Sequence, residues 1–208
     1  MRKILVTQRV DIHPSYGERR DALDQRWIAL CTAVGLWPTL APNNLELVRR
    51  LVVTTDFDGI LFTGGNTLHN YGGDAPERDE LERFLLSWSI KKAIPALGVC
   101  RGMQLIQDYF GNQLSPVTNH VDAYHELSVK ENCRLSSAIK NLGLVNSYHH
   151  LGSTAVGGGL IAIARAKDGV VEAVEHRLRP IYGVMWHSER EAPLKEAELA
   201  LFKKIFKE

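Results

Sequence analysis

Little in this 208-residue sequence suggests disulfides, a membrane or a polyanionic partner. Its three cysteines, Cys31, Cys100 and Cys133, are far apart and include no CxxC pair, which indicates a reducing, cytoplasmic setting rather than a disulfide framework. The formal net charge of +1 gives no reason to expect nucleic acid or an anionic membrane as a partner. No apolar run approaches the roughly 20 residues that cross a bilayer. The first apolar run ends at Thr7, too early for a secretory signal.

The composition is typical of a soluble globular protein, with 45% apolar residues and charges of both signs. No linker, internal repeat or low-complexity segment divides the chain, so residues 1–208 are predicted to form one domain. The sequence leaves the oligomeric state open, including a homo-oligomer.

Strand and helix patterns alternate through the first half of the chain, which predicts an α/β fold with a parallel sheet between helices. The predicted strands are Lys3–Gln8, Trp37–Leu40, Gly59–Thr63 and Ile94–Val99, and the predicted helices are Glu18–Val34, Leu45–Val53, Glu77–Lys92 and Arg101–Phe110. Short strands, antiparallel or mixed, dominate the second half, and whether they extend the main sheet stays open. They are Gln113–Val117, His125–Lys130, Gly143–Ser147, Leu160–Ala166, Val170–His176 and Pro180–Trp186, followed by a helix over Leu194–Phe206.

Cys100 stands where a predicted strand turns abruptly into a helix. Such an elbow presents a nucleophile, and the adjacent helix N-terminus favours a thiolate. Gly98 and Gly102 flank the cysteine and are expected to keep side chains away from a reacting carbonyl. A buried structural cysteine at a strand end is the alternative, but the elbow pattern favours the nucleophile.

His187 and Glu189 are the best candidates to activate this cysteine. If the preceding strand persists, residues i and i+2 point to the same side, so the carboxylate can orient the imidazole. The alternative is a solvated strand end, where both residue types are common.

Backbone donors for an oxyanion are predicted at two places. The amide of Arg101 is the first of its helix, and Gly65 lies at the end of a neighbouring strand, where an α/β sheet opens its crevice. An ordinary glycine turn is the alternative for Gly64-Gly65. Neither this pair nor Gly157–Gly159 forms a nucleotide-binding fingerprint.

Four histidines, His120, His125, His149 and His150, lie near one another in the sequence. No carboxylate or thiol accompanies them at ligand spacing, so no metal site is predicted. The segment from Asn146 to His149 is expected instead to line the substrate pocket.

Taken together, these residues resemble the class I glutamine amidotransferase family, in its γ-glutamyl hydrolase (peptidase C26) branch. The resemblance covers almost the whole chain. Its motifs are Gly64-Gly65, Arg78-Asp79-x-x-Glu82, Gly98-x-Cys100-Arg101-Gly102-x-Gln104, Val145-Asn146-Ser147-x-His149-His150, Asp168-Gly169-x-x-Glu172-Ala173 and Trp186-His187-x-Glu189.

The resemblance implies a flavodoxin-like three-layer sandwich, a Cys100-His187-Glu189 triad, an oxyanion hole from Gly65 and Arg101, and no cofactor. It further implies that Gln104 and the Ser147-Tyr148 backbone hold the glutamyl end of a small-molecule substrate. Two positions depart from the family. Ser188 stands where the family usually has a proline, and the loss of the rigid ring would loosen the backbone between His187 and Glu189. Asn66-Thr67 stands where the branch often has an acidic residue.

The function implied is hydrolysis of a γ-glutamyl amide through a γ-glutamyl thioester. The Thr7-Gln8-Arg9 start, Arg20-x-x-Leu23-Asp24 and Arg78-Asp79 also resemble a bacterial subgroup acting on γ-glutamyl-CDP-amidate in capsule phosphoramidate synthesis. Arg9, Arg19 and Arg20 are candidates to contact an anionic leaving group, with plain surface arginines as the alternative.

Three other classes compete with this function. The chain could be a glutaminase subunit that passes ammonia to a synthetase partner, a non-catalytic relative, or a cysteine-dependent stress protein of the same broad fold. The presence of Cys100, His187 and Glu189 together argues against the last two. The Asn66–Pro76 loop is long enough to cover the site, which mildly favours a free-standing hydrolase over a subunit.

Overall fold

The computed structural model describes residues 1–207. The strands are β1 Arg2–Val6, β2 Arg9–Ile12, β3 Arg19–Ala22, β4 Leu36–Leu40, β5 Gly59–Phe62, β6 Ala96–Val99, β7 Ser115–Pro116, β8 Val121–His125, β9 Ser128–Val129, β10 Val145–Tyr148, β11 Leu151–Gly152, β12 Leu160–Arg165, β13 Val171–His176 and β14 Ile181–Val184. The helices are α1 Arg26–Val34, α2 Leu45–Thr54, α3 Pro76–Lys92, α4 Arg101–Tyr109, α5 Ser136–Lys140 and α6 Glu196–Lys207, with single 3₁₀ turns at His69–Tyr71 and Ser188–Arg190.

A central sheet of eight strands, in the order β4-β1-β5-β6-β14-β13-β12-β9, organises the molecule. The strands from β4 to β14 pair in parallel, and the remaining pairs are antiparallel. Strands β5 and β6 are buried along their whole length, because helices cover both of their faces. The mostly parallel α/β sheet predicted from the sequence is confirmed.

The helices form two layers, and a large apolar core lies between each layer and the central sheet. Helices α1, α5 and α6 contribute Leu30, Ile139 and Phe202 to the core on one face of the sheet. Helices α2, α3 and α4 contribute to the core on the other face, for example through Val48 and Leu85. None of the helices within residues 1–207 is both long and apolar enough to cross a membrane.

The predicted helix over residues 18–34 is wrong in its first half. Arg19–Ala22 instead forms an antiparallel hairpin with Arg9–Ile12. The buried helical stripe begins only at Trp27, and the Asp24 carboxylate accepts the backbone N–H of Arg26 at 3.0 Å. The charged residues before Asp24 offer no apolar face for a helix to bury.

The second half of the chain is divided between the main sheet and small ribbons. Strands β9, β12, β13 and β14 extend the main sheet, whereas β8 pairs with β10 and β7 with β11 as separate two-stranded ribbons. The strand predicted over residues 125–130 is therefore two strands in different sheets, and that predicted over residues 113–117 shrinks to Ser115–Pro116. The short helix α5 was not predicted.

Candidate active site

Cys100 occupies the sharp turn between β6 and α4. Its backbone has φ 53° and ψ −108°, a conformation that non-glycine residues rarely adopt and that commonly marks functional positions. Its side chain is nearly buried, with 7% of the residue exposed. The strand-to-helix elbow predicted from the sequence is present at this residue.

Gly98 and Gly102, which flank Cys100, were expected to keep side chains away from a reacting carbonyl, but their role in the structure is close backbone packing. A Cβ on Gly98 would lie 2.3 Å from the carbonyl oxygen of Gly102, and a Cβ on Gly102 would lie 2.2 Å from that of Phe62. They therefore let α4 pack directly against the backbones of β5 and β6. The space beside the cysteine is instead kept clear by Gly64, where a Cβ would lie 2.8 Å from His187 Cε1 and 3.6 Å from Cys100 Cβ.

His187 lies between Cys100 and Glu189. Its Nδ1 is 2.6 Å from Glu189 Oε1. The strand geometry used to predict this pair is wrong, because β14 ends at Val184 and residues 188–190 form a 3₁₀ turn that folds the carboxylate back onto the ring. Asn146 fixes the histidine backbone by accepting its N–H and donating to its carbonyl oxygen, both at 2.9 Å.

The environment of His187 favours the imidazolium form. Burial opposes the charge, but hydrogen bonds with Cys100 and Glu189 outweigh it and raise the pKa of His187 to about 9. At neutral pH the ring is therefore a cation that lies against the Cys100 side chain.

Ser188, the residue that departs from the family pattern, is held by a hydrogen bond rather than by a proline ring. Its hydroxyl donates to Glu198 Oε2 at 2.6 Å, and the Trp186 indole N–H donates to the same oxygen at 3.4 Å. Ser188 is fully buried. The backbone between His187 and Glu189 is thus attached to α6. This hydrogen bond restrains the segment that the missing proline was expected to loosen.

Arg78 orients the backbone of the glycine turn after β5. Its guanidinium donates to the carbonyl oxygens of Thr63, Gly64 and Gly65 at 2.7, 3.1 and 2.6 Å. Because the Gly64–Gly65 peptide is trans, the N–H of Gly65 points away from Arg78. Burial and repulsion from Arg101 lower the pKa of Arg78 to about 10, which still leaves it cationic at neutral pH.

A shared carboxylate connects this turn to the start of α4. Glu82 Oε1 accepts from Arg78 Nε at 2.9 Å, and Glu82 Oε2 pairs with the Arg101 side chain, which also pairs with Asp79. Glu82 and both arginines are almost completely buried. The amide of Arg101, first in its helix, has no intrahelical acceptor and stands next to Cys100. The two amides predicted to bind an oxyanion are therefore tied to one buried ion cluster.

The residues predicted to bind the glutamyl end lie around this centre. The Gln104 amide donates to the carbonyl oxygen of Leu151 at 3.0 Å. Tyr148 stands edge-on to His187 with ring centroids 6.3 Å apart. The side chains of Ser147 and His149, however, point to His120 and Glu172 rather than to the cysteine. Only the backbone of these two residues remains available to the pocket.

The arginines predicted for the leaving group are all exposed and paired. Arg9 pairs with Asp11, Arg19 with Glu77 and Arg20 with Glu18. Of the three, Arg9 alone lines the small cleft next to Gly64 and His187.

Sequence reasoning missed Arg190, which lines the same cleft. Its guanidinium lies 4.6 Å from the centre of the Tyr148 ring, and its Nε is 3.8 Å from Glu189. Its position directly after the His-x-Glu motif was the signal that could have identified it.

The parallel sheet, the cysteine elbow and the histidine–carboxylate pair define a class I glutamine amidotransferase-like hydrolase. Residues 4–189 match the family model of Peptidase C26, so the chain belongs to that family. The family resemblance stated from the sequence motifs is thereby confirmed.

Two hydrolases and one solved structure are similar to this chain. The chain is 30% identical to the gamma-glutamyl-CDP-amidate hydrolase of Campylobacter jejuni over 203 residues, covering 93% of both chains. It is 28% identical to the gamma-glutamyl-gamma-aminobutyrate hydrolase PuuD of Escherichia coli, covering 83% of this chain and 80% of that protein. A crystal structure from Thermoplasma acidophilum, described as that of a candidate GMP synthase component, shares the fold with a TM-score of 0.72 and 19% identity, covering 99% of this chain and 92% of that one.

Proposed function

We propose that this protein hydrolyses γ-glutamyl amides by a cysteine-dependent mechanism, with Cys100 as nucleophile, His187 as acid and base, and Glu189 as the group that orients His187. One observation carries the proposal. His187 contacts both the Cys100 side chain and the Glu189 carboxylate, at the turn where Cys100 adopts its unusual backbone conformation.

Each step uses protein groups and water. The Cys100 thiolate attacks the γ-carbonyl carbon, and the amides of Gly65 and Arg101 bind the resulting oxyanion. The tetrahedral intermediate collapses as His187 gives its proton to the departing nitrogen, which leaves as an amine or, from a nucleotide amidate, as the phosphoramidate. The neutral His187 then takes a proton from water, hydroxide attacks the γ-glutamyl thioester, and glutamate and the thiolate are released.

For the leaving group we propose a γ-glutamyl nucleotide amidate, and for the physiological role, capsule phosphoramidate synthesis. The similarity to the Campylobacter jejuni relative over nearly the whole chain supports this substrate. Arg9 and Arg190 border the cleft beside Gly64 and His187, where phosphate groups of such a leaving group would lie.

The chemistry is tested with the purified protein alone on a γ-glutamyl anilide, on glutamine and on γ-glutamyl-CDP-amidate. We expect anilide cleavage that Cys100→Ala abolishes and that Cys133→Ala, at a partly exposed cysteine outside the site, leaves intact. Mass spectrometry should detect a γ-glutamyl adduct on Cys100. Turnover that requires a second protein would support a glutaminase subunit instead, and full activity of Cys100→Ala would overturn the proposal.

The leaving-group proposal is tested with Arg9→Ala. We expect KM for the anionic nucleotide amidate to rise about tenfold, because a charge-assisted contact contributes on the order of 1.5 kcal/mol, whereas KM for the neutral anilide stays unchanged. Arg50→Ala, at an exposed arginine on α2, is the matched control. Equal effects of Arg9→Ala on both substrates would remove Arg9 from the leaving-group site.

A further inference from the structure

Three histidines and a glutamate meet behind the strand that carries Ser147 and Tyr148. His120 precedes β8, His125 ends it, His149 follows β10, and Glu172 comes from β13. His120, His149 and the Glu172 side chain are buried, and His125 is half-buried. One nitrogen from His120, one from His125 and one oxygen from Glu172 all lie within 4.8 Å of one another.

The spacing of these atoms differs from that of the chain's histidine–carboxylate hydrogen bonds. Glu172 Oε1 is 3.2 Å from His120 Nδ1 and 3.4 Å from His149 Nε2. Elsewhere such pairs are closer, at 2.6 Å for His187–Glu189 and 2.9 Å for His120–Asp168. Two ligands of one tetrahedral Zn²⁺, each bonded at about 2.1 Å, lie about 3.4 Å apart. The separations of 3.2 and 3.4 Å are compatible with shared coordination of one cation by these side chains.

The outer nitrogens of two of these rings are already engaged. His120 Nε2 lies 2.9 Å from the Asp168 carboxylate, and His149 Nδ1 lies 3.1 Å from the carbonyl oxygen of Leu151. A carboxylate or carbonyl acceptor on the outer nitrogen is the usual support for a metal-binding histidine, because it fixes the ring and its tautomer. With the ring protons on these outer nitrogens, the nitrogen of each ring that faces Glu172 keeps its lone pair; in His120 that nitrogen also lies 3.4 Å from the Ser147 hydroxyl oxygen.

The inward-facing atoms lack hydrogen-bond partners within residues 1–207. They are both carboxylate oxygens of Glu172, Nε2 of His125 and Nε2 of His149. Leaving buried polar atoms unpaired costs on the order of 1–3 kcal/mol each, and four of them converge here. A cation that accepts electron pairs from Glu172, His125 and His149, the three side chains that carry these atoms, reduces this cost.

We propose that this cluster binds a divalent transition-metal cation, with Zn²⁺ the best match to a nitrogen-rich set containing one carboxylate. His120, His125 and Glu172 would be ligands, and His149 the fourth. The cation would join β8 and β13 to β10 and so hold the backbone of Ser147 and Tyr148 in place. No metal was predicted from the sequence because Glu172, from a distant strand, has no spacing relation to the histidines.

The test measures metal binding directly. The 208-residue protein is treated with a chelator and titrated with Zn²⁺ in competition with a chromophoric chelator, and Co²⁺ is added separately to record visible d–d bands. Two variants weaken the site, His125→Gln in its half-buried ligand and Asp168→Asn in the half-exposed group that orients His120. His150→Gln is the matched control, because its side chain is exposed on the same segment.

We expect one equivalent of Zn²⁺ for the wild-type protein and for His150→Gln, with tetrahedral Co²⁺ bands in both. His125→Gln should weaken Zn²⁺ binding at least 100-fold and Asp168→Asn about 10-fold or more. Less than a tenth of an equivalent bound by the wild-type protein would overturn the proposal. Unchanged affinity in both variants would do so as well, and Asp168→Asn keeps the test decisive if His125→Gln fails to fold.

Discussion

At the scale of single residues, the site depends on a glycine whose missing side chain leaves room for the imidazole of His187, the proposed acid and base. Gly64 lies against both His187 and Cys100, so any Cβ there would contact the ring before it contacted the cysteine. Hydrogen bonds hold the ring to Glu189 and to Cys100. The proposed triad therefore has little freedom to adjust to a larger neighbour.

Gly64→Ala should reduce kcat for a γ-glutamyl anilide by about 100-fold or more, because the new Cβ, 2.8 Å from His187 Cε1, displaces the ring from its working position. The thermal midpoint is measured beside kcat, so that a displaced ring in a folded protein is distinguished from loss of the fold. Gly157→Ala is the control, since a Cβ there meets only Asn112 Oδ1 at 3.7 Å. Retention of wild-type kcat by Gly64→Ala would show that the ring position is not critical.

The pH profile follows from the charge on His187. Its pKa is raised from 6.5 to about 9, so the cation and its stabilising contacts, fully present below pH 6.5, are lost as the pH rises through about 9. We expect kcat/KM to fall above that pH, because a neutral ring has no proton for the departing nitrogen. In Glu189→Gln the alkaline limb should move down by about one pH unit or more. A profile that is identical in both proteins would contradict the assigned role of Glu189.

At the scale of elements, helix α3 supplies the charges that connect the two proposed oxyanion donors, the amides of Gly65 and Arg101. Arg78 and Glu82 are one turn apart on the same face, and Asp79 reaches the Arg101 side chain. Although burial opposes it, Arg101 and Arg78 lower the pKa of Glu82, so the cluster contains a carboxylate between two guanidinium groups. The helix thereby fixes a glycine turn and a helix start that belong to different parts of the chain.

Arg78→Lys should lower kcat by about 10- to 100-fold with little change in KM. A lysine keeps the positive charge but cannot hold the carbonyl oxygens of Thr63, Gly64 and Gly65 in one fork. The Gly65 amide, a proposed oxyanion donor, then loses its fixed direction, and this loss has its largest effect in the transition state. The measurement is steady-state kinetics beside Arg50→Lys, an exposed arginine on α2. A rise in KM alone would point to substrate binding instead.

At the scale of the whole molecule, the C-terminal helix is attached to the loop of the proposed catalytic residues. Helix α6 packs against α1 and α5 through Phe202 and its neighbours. Its Glu198 accepts hydrogen bonds from Ser188 and Trp186. Burial raises the pKa of Glu198 from 4.5 to about 6, in spite of these donors. Helix α6 thus contributes both to the stability of the fold and to the position of the segment that carries His187 and Glu189.

Glu198→Gln should stabilise the protein at alkaline pH. Since the folded pKa is raised, the favourable contribution of Glu198 is fully present below pH 4.5 and is lost as the pH rises through about 6. Glutamine stays neutral and keeps the acceptor oxygen, so the gain over wild type should grow to about 2 kcal/mol by pH 8. Urea unfolding at several pH values measures this difference in the free energy of unfolding, with Glu80→Gln as a control at an exposed glutamate. A gain that does not vary with pH would contradict this account.

The sequence by itself determined the parallel half of the fold and the identity of the proposed nucleophile. Apolar runs such as Gly59–Phe62 and the stripe of α4 are local patterns, and the turn at Cys100 lies between them. The family motifs around Cys100 and His187 are likewise contiguous, so no knowledge of long-range contacts was needed to find them. The hairpin at Arg19–Ala22 escaped prediction because its partner strand, rather than its own periodicity, stabilises it.

Only the tertiary structure decided which distant groups meet. Three arrangements join residues from separate elements. They are the role of Gly64, the link from Arg78 through Glu82 to Arg101, and the approach of Glu172 to three histidines. The attachment of Ser188 to Glu198 also spans two elements and reverses the expectation drawn from the missing proline. Such contacts depend on how helices and strands pack in space, and residue spacing along the chain carries no information about that packing.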